Sequence, residues 1–218
     1  MDKYVAAESD ARAGIEAFVA RYPFPLDPFQ LDAIKELSEG HSVLVAAPTG
    51  TGKTMVAEYA IWLAQQRNQR VIYTTPLKAL SNQKYRDLRE LFGMDAVGLV
   101  TGDIVEHSRA SIVIMTTEVY RNMLLEEGAD RFVDNTESPD GTDGTNSRHN
   151  LEDSDTPSTS KRRSALLANV GFVVFDELHY LSDAERGPVW EEAIICSPPH
   201  VQLVGLSATV SNAGDLAQ

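Results

Sequence analysis

Residues 41–64, HSVLVAAPTGTGKTMVAEYAIWLA, leave this chain few folds to choose from. Residues 42–47 form a short apolar run of the length of a buried strand. Pro48, Thr49, Gly50, Thr51 and Gly52 interrupt it, and Lys53 and Thr54 open an apolar helical run through Val56, Ala57, Ala60, Ile61, Leu63 and Ala64. A small-residue loop between strand and helix aims its backbone N–H groups and the helix N-terminus at anionic oxygens. Lys53 is placed to reach the β- and γ-phosphates of a nucleoside triphosphate, and the Thr54 hydroxyl to hold Mg²⁺. The loop pattern usually begins with Gly, and Ala47 takes that position here. The stretch predicts an α/β fold that binds a nucleoside triphosphate.

The rest of the chain repeats the alternation. Residues 70–75 (RVIYTT), 96–100 and 111–115 read as strands, each running into a polar loop and, for the first and last, a helix. Residues 171–175 and 201–206 are further apolar runs of strand length. Strands alternating with helices predict a mostly parallel central sheet with helices on both faces, its loops at the strand C-termini forming the working edge. Residues 8–20 have near-helical apolar spacing, giving an N-terminal helical extension over 1–22. Pro23, Pro25 and Pro28 then argue against regular structure before a helix at about 31–37.

Carboxylates arrive at the same edge. The run GFVVF ends in Asp176 and Glu177, so a buried strand delivers two acids to the side that carries the phosphate loop. Asp176 is placed to hold Mg²⁺ through its water shell, and Glu177 to orient and deprotonate an attacking water. His179 taken alone is equally a core histidine. Upstream of the phosphate loop, Phe24 and Gln30 suit adenine, a ring for its face and an amide for its edge. A hydrophobic staple, with Phe24 and Phe29 as core plugs and Gln30 as a solvated cap, explains the same residues. The loops after the second to fourth strands carry hydroxyls, amides and a lysine. These fit contacts to a sugar–phosphate backbone or ordinary loop polarity and helix capping.

Charge qualifies the choice of partner. The net charge is −13, which disfavours a general attraction to nucleic acid. Residues 129–160 contribute −6 of it, and the remaining −7 means that a nucleic acid would be gripped by placed groups. From about 128 to 163 the chain is rich in Ser, Thr, Asp, Asn and Gly and poor in apolar residues, so it reads as a disordered acidic insertion. Lys161, Arg162 and Arg163 close it, as a solvated charge run or a binding patch. One cysteine, Cys196, leaves no disulfide framework and suggests a reducing compartment. The first residues are polar and acidic, and no apolar run approaches the ~20 residues of a membrane helix. No membrane partner and a cytoplasmic location are expected.

The motifs FPLDPFQ, APTGTGKT, TTPLKALSNQ, TGD, MTTE, DELH and SAT occur in this order. The chain thereby resembles the first RecA-like domain of a superfamily 2 DExH-box RNA helicase, of the superkiller, exosome-associated branch. AxxGxGKT with Ala first is typical of that superfamily. The longer stretches TTPLKALSNQKYRDL, MTTEVYRNML and DELHYLSDAERGPVWEEAI are similar to the branch, over about 21–127 and 165–218 in all. The resemblance implies that Phe24 stacks on adenine and Gln30 reads it, and that Ala47, Pro48, Thr49, Gly50, Thr51, Gly52, Lys53 and Thr54 hold ATP and Mg²⁺. It makes Asp176 the metal-linked acid, Glu177 the base, and His179 their link to the partner loop. It puts Pro76, Lys78, Asn82, Gln83, Thr101, Gly102, Thr116 and Glu118 in strand-binding motifs, and has Ser207 and Thr209 couple ATP state to strand grip.

On this reading residues 23–218 are the helicase ATP-binding domain, interrupted by an insertion longer than the family's usual connection. The second RecA-like domain, with its arginine finger, is absent from these residues. The implied protein translocates along or unwinds single-stranded RNA, with DNA as an alternative strand and RNA-decay or ribosome-processing proteins as partners. One lobe alone is expected to be weak or inactive. A non-enzymatic, nucleotide-dependent RNA-binding module and a P-loop ATPase of another class are the competing functions.

Overall fold

The computed structural model describes residues 2–133 and 167–208. Among them, seven strands form one sheet in the order β1-β7-β6-β2-β5-β3-β4. These are β1 (Val43–Ala46), β2 (Arg70–Thr75), β3 (Val97–Val100), β4 (Val105–Glu106), β5 (Ile112–Thr116), β6 (Val170–Phe175) and β7 (Gln202–Ser207). All neighbours are parallel except β3 and β4, where Val100 faces Val105 in an antiparallel pair. The helices are α1 (Asp2–Val19), α2 (Pro28–Ser38), α3 (Thr54–Gln66), α4 (Lys78–Phe92), α5 (Thr117–Val133) and α6 (Gly187–Ile195).

Both faces of the sheet are covered, which is why its strands are apolar without alternation. Val71 and Tyr73 of β2 join Phe172 and Val174 of β6 in one core with residues of α1 to α4. The intervening Ile72, Val173 and Phe175 join Tyr120 and Met123 of α5 and Trp190 of α6 in the other. Phe18 of α1 is fully buried, its ring 5.0 Å from that of Tyr59 and 5.9 Å from that of Trp62. The N-terminal helix therefore packs into the same core as α3.

Three elements differ from the sequence reading. Pro28 does not exclude a helix but begins α2, because the first helical residue needs no N–H donor and proline is already set at a helical φ. Helix α5 runs on to Val133, past residue 128 where the composition changes, and residues 134–166, with most of the expected acidic insertion, lie outside the described residues. Strand β4 has two residues, both exposed, so no apolar pattern announces it.

Candidate functional site

Strands β1, β2, β3, β5, β6 and β7 are parallel, so the segments that leave their C-terminal ends lie along one edge of the sheet. That edge receives the phosphate loop from β1, Pro76 from β2, Thr101 from β3, Thr117 and Glu118 from β5, and Asp176 and Glu177 from β6. Ser207 is the last residue of β7.

The loop after β1 is shaped by two glycines at φ 85° (Gly50) and 80° (Gly52), a region that costs other residues about 1 kcal/mol or more. Space adds to the demand at Gly52, where a Cβ atom would lie 2.6 Å from Gln30 Nε2. Lys53 donates from its ammonium to the carbonyls of Ala47 (2.6 Å) and Pro48 (2.9 Å), so its charge already rests over the loop. Thr51 Oγ1 donates to Pro48 O (2.7 Å), and α3 begins at Thr54. Ala47 N–H donates to the carbonyl of Ser207 at 3.2 Å, a direct bond between the phosphate loop and the last strand.

Gln30 proves to be buried rather than a solvated cap. Its Oε1 accepts from Asp27 N–H (2.9 Å) at the start of α2, and its Nε2 donates to Gly52 O (3.0 Å) and Thr51 O (3.4 Å). The amide expected at adenine thus ties α2 to the phosphate loop. Phe24 is half-exposed, its ring 5.7 Å from that of Tyr22. It is not a core plug, whereas Phe29 packs against the core.

At the end of β6, Asp176 is mostly buried and fixed at both oxygens. Oδ2 accepts from the Tyr73 hydroxyl at 2.8 Å and lies 3.7 Å from Lys84 Nζ, while Oδ1 accepts from Glu177 N–H at 3.0 Å. Asp176 N–H donates to Thr74 O (3.0 Å), extending the β2–β6 ladder to the acid. Glu177 adopts a left-handed backbone, φ 58° and ψ 43°, an uncommon state for a residue with a side chain. It turns the chain off the strand into a 3₁₀ turn (Leu178–Ser182) and leaves its carboxylate half-exposed. Glu177 Oε2 is 3.4 Å from His179 Nδ1, outside hydrogen-bond geometry, and that nitrogen is shielded, with no hydrogen-bond partner among the described residues. His179 is not a core histidine, being about a third exposed.

Nothing local in the sequence marks Tyr73 and Lys84: the β2–β6 pairing brings Tyr73 to an acid 103 residues away, and α4, which follows β2, brings Lys84 to the same carboxylate. Burial first, then the Asp176 charge, push the Tyr73 hydroxyl well above its ordinary value of 10.0. The folded chain therefore keeps a proton that the unfolded chain loses. This contribution is complete below about pH 10 and declines above it, by about 1.4 kcal/mol per pH unit. Urea unfolding from about pH 10 to 11 should show stability falling, and Tyr73→Phe should fall less steeply. Equal slopes would place the proton loss elsewhere.

The residues read as strand contacts divide by exposure. Lys78, Gln83 and Gly102 are exposed, and Asn82 and Glu118 are half-buried. Pro76, Thr101 and Thr116 are buried and shape the loops instead. Lys78 pairs with Asp103, joining the segments after β2 and β3. Beneath them Thr75 Oγ1 and Ser81 Oγ share a hydrogen bond of 2.7 Å, and Thr117 Oγ1 donates to Thr75 O. Ser207 is fully buried and its hydroxyl has no partner among the described residues, while Thr209 lies outside them.

Thr54 and Asp176 suit Mg²⁺ by donor type, since both offer hard oxygens. They stand at the first turn of α3 and the end of β6, with β7 between β1 and β6.

Residues 27–216 match the DEAD/DEAH box helicase family. The chain is 44% identical over 201 residues to "Probable helicase HelY" of Mycobacterium tuberculosis, covering 92% of this chain and 18% of that protein. It is 45% identical to "DExH-box ATP-dependent RNA helicase DExH10" of Arabidopsis thaliana (90% and 16% covered) and 43% identical to "Antiviral helicase SKI2" of Saccharomyces cerevisiae (90% and 12%). The chain thus spans less than a fifth of the length of these relatives. Among solved structures, Mycobacterium smegmatis helicase Lhr bound to ssDNA and AMP-PNP superposes with a TM-score of 0.60 at 26% identity, over 94% of this chain and 25% of that one. Helicase MrfA bound to DNA and AMPPNP gives 0.63 at 20% identity, over 94% and 27%. The sheet order and these superpositions make the fold RecA-like.

Proposed function

The chain belongs to the DEAD/DEAH box helicase family, and from that premise we propose that it is the ATP-binding lobe of an ATP-dependent RNA helicase. The observation that carries the proposal is the meeting, on one sheet edge, of a cation-bearing glycine loop and the two acids of β6. β7 lies between them and is bonded to the loop through Ala47. AMP-PNP in the Lhr structure and the names of the RNA helicase relatives support the nucleotide and the strand.

In this reading the loop amides and the α3 N-terminus receive the phosphates, and Lys53 moves from the Ala47 and Pro48 carbonyls to the β- and γ-oxygens. Phe24 offers its exposed face to adenine, with Gln30 holding the loop as well as, on base binding, the base edge. Thr54 and Asp176 hold Mg²⁺, which when bound neutralises charge on the transferring phosphoryl group. Glu177 accepts a proton from the attacking water, its carboxylate aimed by the left-handed turn at the end of β6. His179 stands beside it to relay contact with a second RecA-like lobe of the full-length protein. Lys78, Asn82, Gln83, Gly102 and Glu118 line the path of a single RNA strand, and Ser207 with Thr209 links that path to the loop. A reducing, cytoplasmic setting accords with the single exposed Cys196.

The test is phosphate release with Mg·ATP, with and without single-stranded RNA, by the chain joined to a second RecA-like lobe. RNA stimulation supports the proposal, whereas Mg·ATP binding with no hydrolysis at any RNA concentration would favour a non-enzymatic binding module.

A further inference from the structure

Helix α4 carries two kinds of residue on adjoining positions. Gln83 is exposed and Asn82 half-buried, both assigned to the proposed strand path, whereas Lys84 has only 22% of its side chain exposed. Its ammonium lies 3.7 Å from Asp176 Oδ2 and 5.7 Å from the centre of the Tyr73 ring. That oxygen also accepts the Tyr73 hydroxyl, and Asp176 is itself 16% exposed. Charges this well shielded attract more strongly than a surface pair, because little water or salt screens them. One helical turn earlier, Ser81 is fully buried and bonded to Thr75, so this end of α4 is seated on β2 rather than loose.

We propose that Lys84 is a positioning residue that ties the strand-facing end of α4 to Asp176 and so couples occupancy of the nucleic-acid path to occupancy of the nucleotide site. The inference rests on the helicase-lobe reading and adds a residue and a route to it. A strand docked on Asn82 and Gln83 biases the seat of α4, and Lys84 carries that bias to the Asp176 carboxylate, which would hold the nucleotide's Mg²⁺. Linkage makes the effect reciprocal, so bound nucleotide changes strand affinity by the same factor.

The experiment titrates a fluorescent ATP analogue (mant-ATP with Mg²⁺) into the chain, alone and with saturating oligouridine RNA. The wild type should show RNA shifting nucleotide affinity by about fivefold or more, within the usual range of such couplings. Lys84→Met should bring the shift, taken relative to the variant's own RNA-free affinity, below about twofold. Lys84→Arg should restore most of the shift, since a guanidinium reaches the same oxygen with the same charge. If Lys84→Met does not fold, Lys84→Gln, which keeps a donor and loses the charge, carries the same expectation. A full RNA shift in the uncharged variants, or none in the wild type, overturns the coupling role. Failure of the wild type to bind mant-ATP would instead overturn the nucleotide-lobe reading beneath it.

Discussion

With a second RecA-like lobe joined to the chain, Glu177→Gln should lower RNA-stimulated phosphate release by about 10²- to 10⁴-fold, the range for removing a general base. Glutamine has nearly the same shape, so it enters the same left-handed turn at φ 58° with the same backbone cost. Its amide cannot take a proton from water at neutral pH, and that is the only function lost. Nucleotide affinity should therefore stay within about twofold, and thermal stability should not change. Single-turnover hydrolysis of labelled ATP beside mant-ATP titration checks both halves. Unchanged turnover would move the base elsewhere, and His179, 3.4 Å from Glu177, would be the next residue to replace.

Lys53→Ala should raise the dissociation constant for Mg·ATP roughly 10- to 150-fold, corresponding to the ~1.5–3 kcal/mol of a hydrogen bond to a charged group. Lys53 lies over the loop with its ammonium on two loop carbonyls. No other lysine or arginine among the described residues bonds to the loop's carbonyls in this way. Titration calorimetry with ATP should show the loss, and Lys53→Arg should recover only part of it, because the planar fork cannot fold back along the same short path. Equal affinities for wild type and alanine variant would refute the assignment of this lysine.

Those two residues could be read from sequence because their signals are local. A strand, small residues, Lys-Thr and a helix define the loop within a few positions, and GFVVF followed by two acids defines β6 with its carboxylates. The fully apolar character of β2, β5 and β6 likewise follows from burial on both faces, and their bounds fall within a residue of the expected ones. What escaped is what depends on distant partners. Tyr73 looks like one more core aromatic until β2 pairs with β6 and brings its hydroxyl to Asp176. Gln30 reads as a cap or a base reader, and its bonds to Gly52 and Thr51 exist only because α2 packs beside the loop. The left-handed turn at Glu177 escaped for a different reason, since no residue type there advertises a positive φ.

The place of β1 in the sheet has a consequence for how the chain matures. Among the described residues β1 is an edge strand whose single neighbour is β7, with Val43 beside Val204 and Ser42 Oγ accepting from Leu203 N–H across 161 residues. Contacts so far apart in sequence close slowly, and among the described strands a chain emerging from the ribosome offers β1 no partner until β7 is out. The phosphate loop is thus among the first functional segments synthesised and among the last to be held in place. A nascent chain that has not yet released β7 carries every residue of the loop and should not retain ATP.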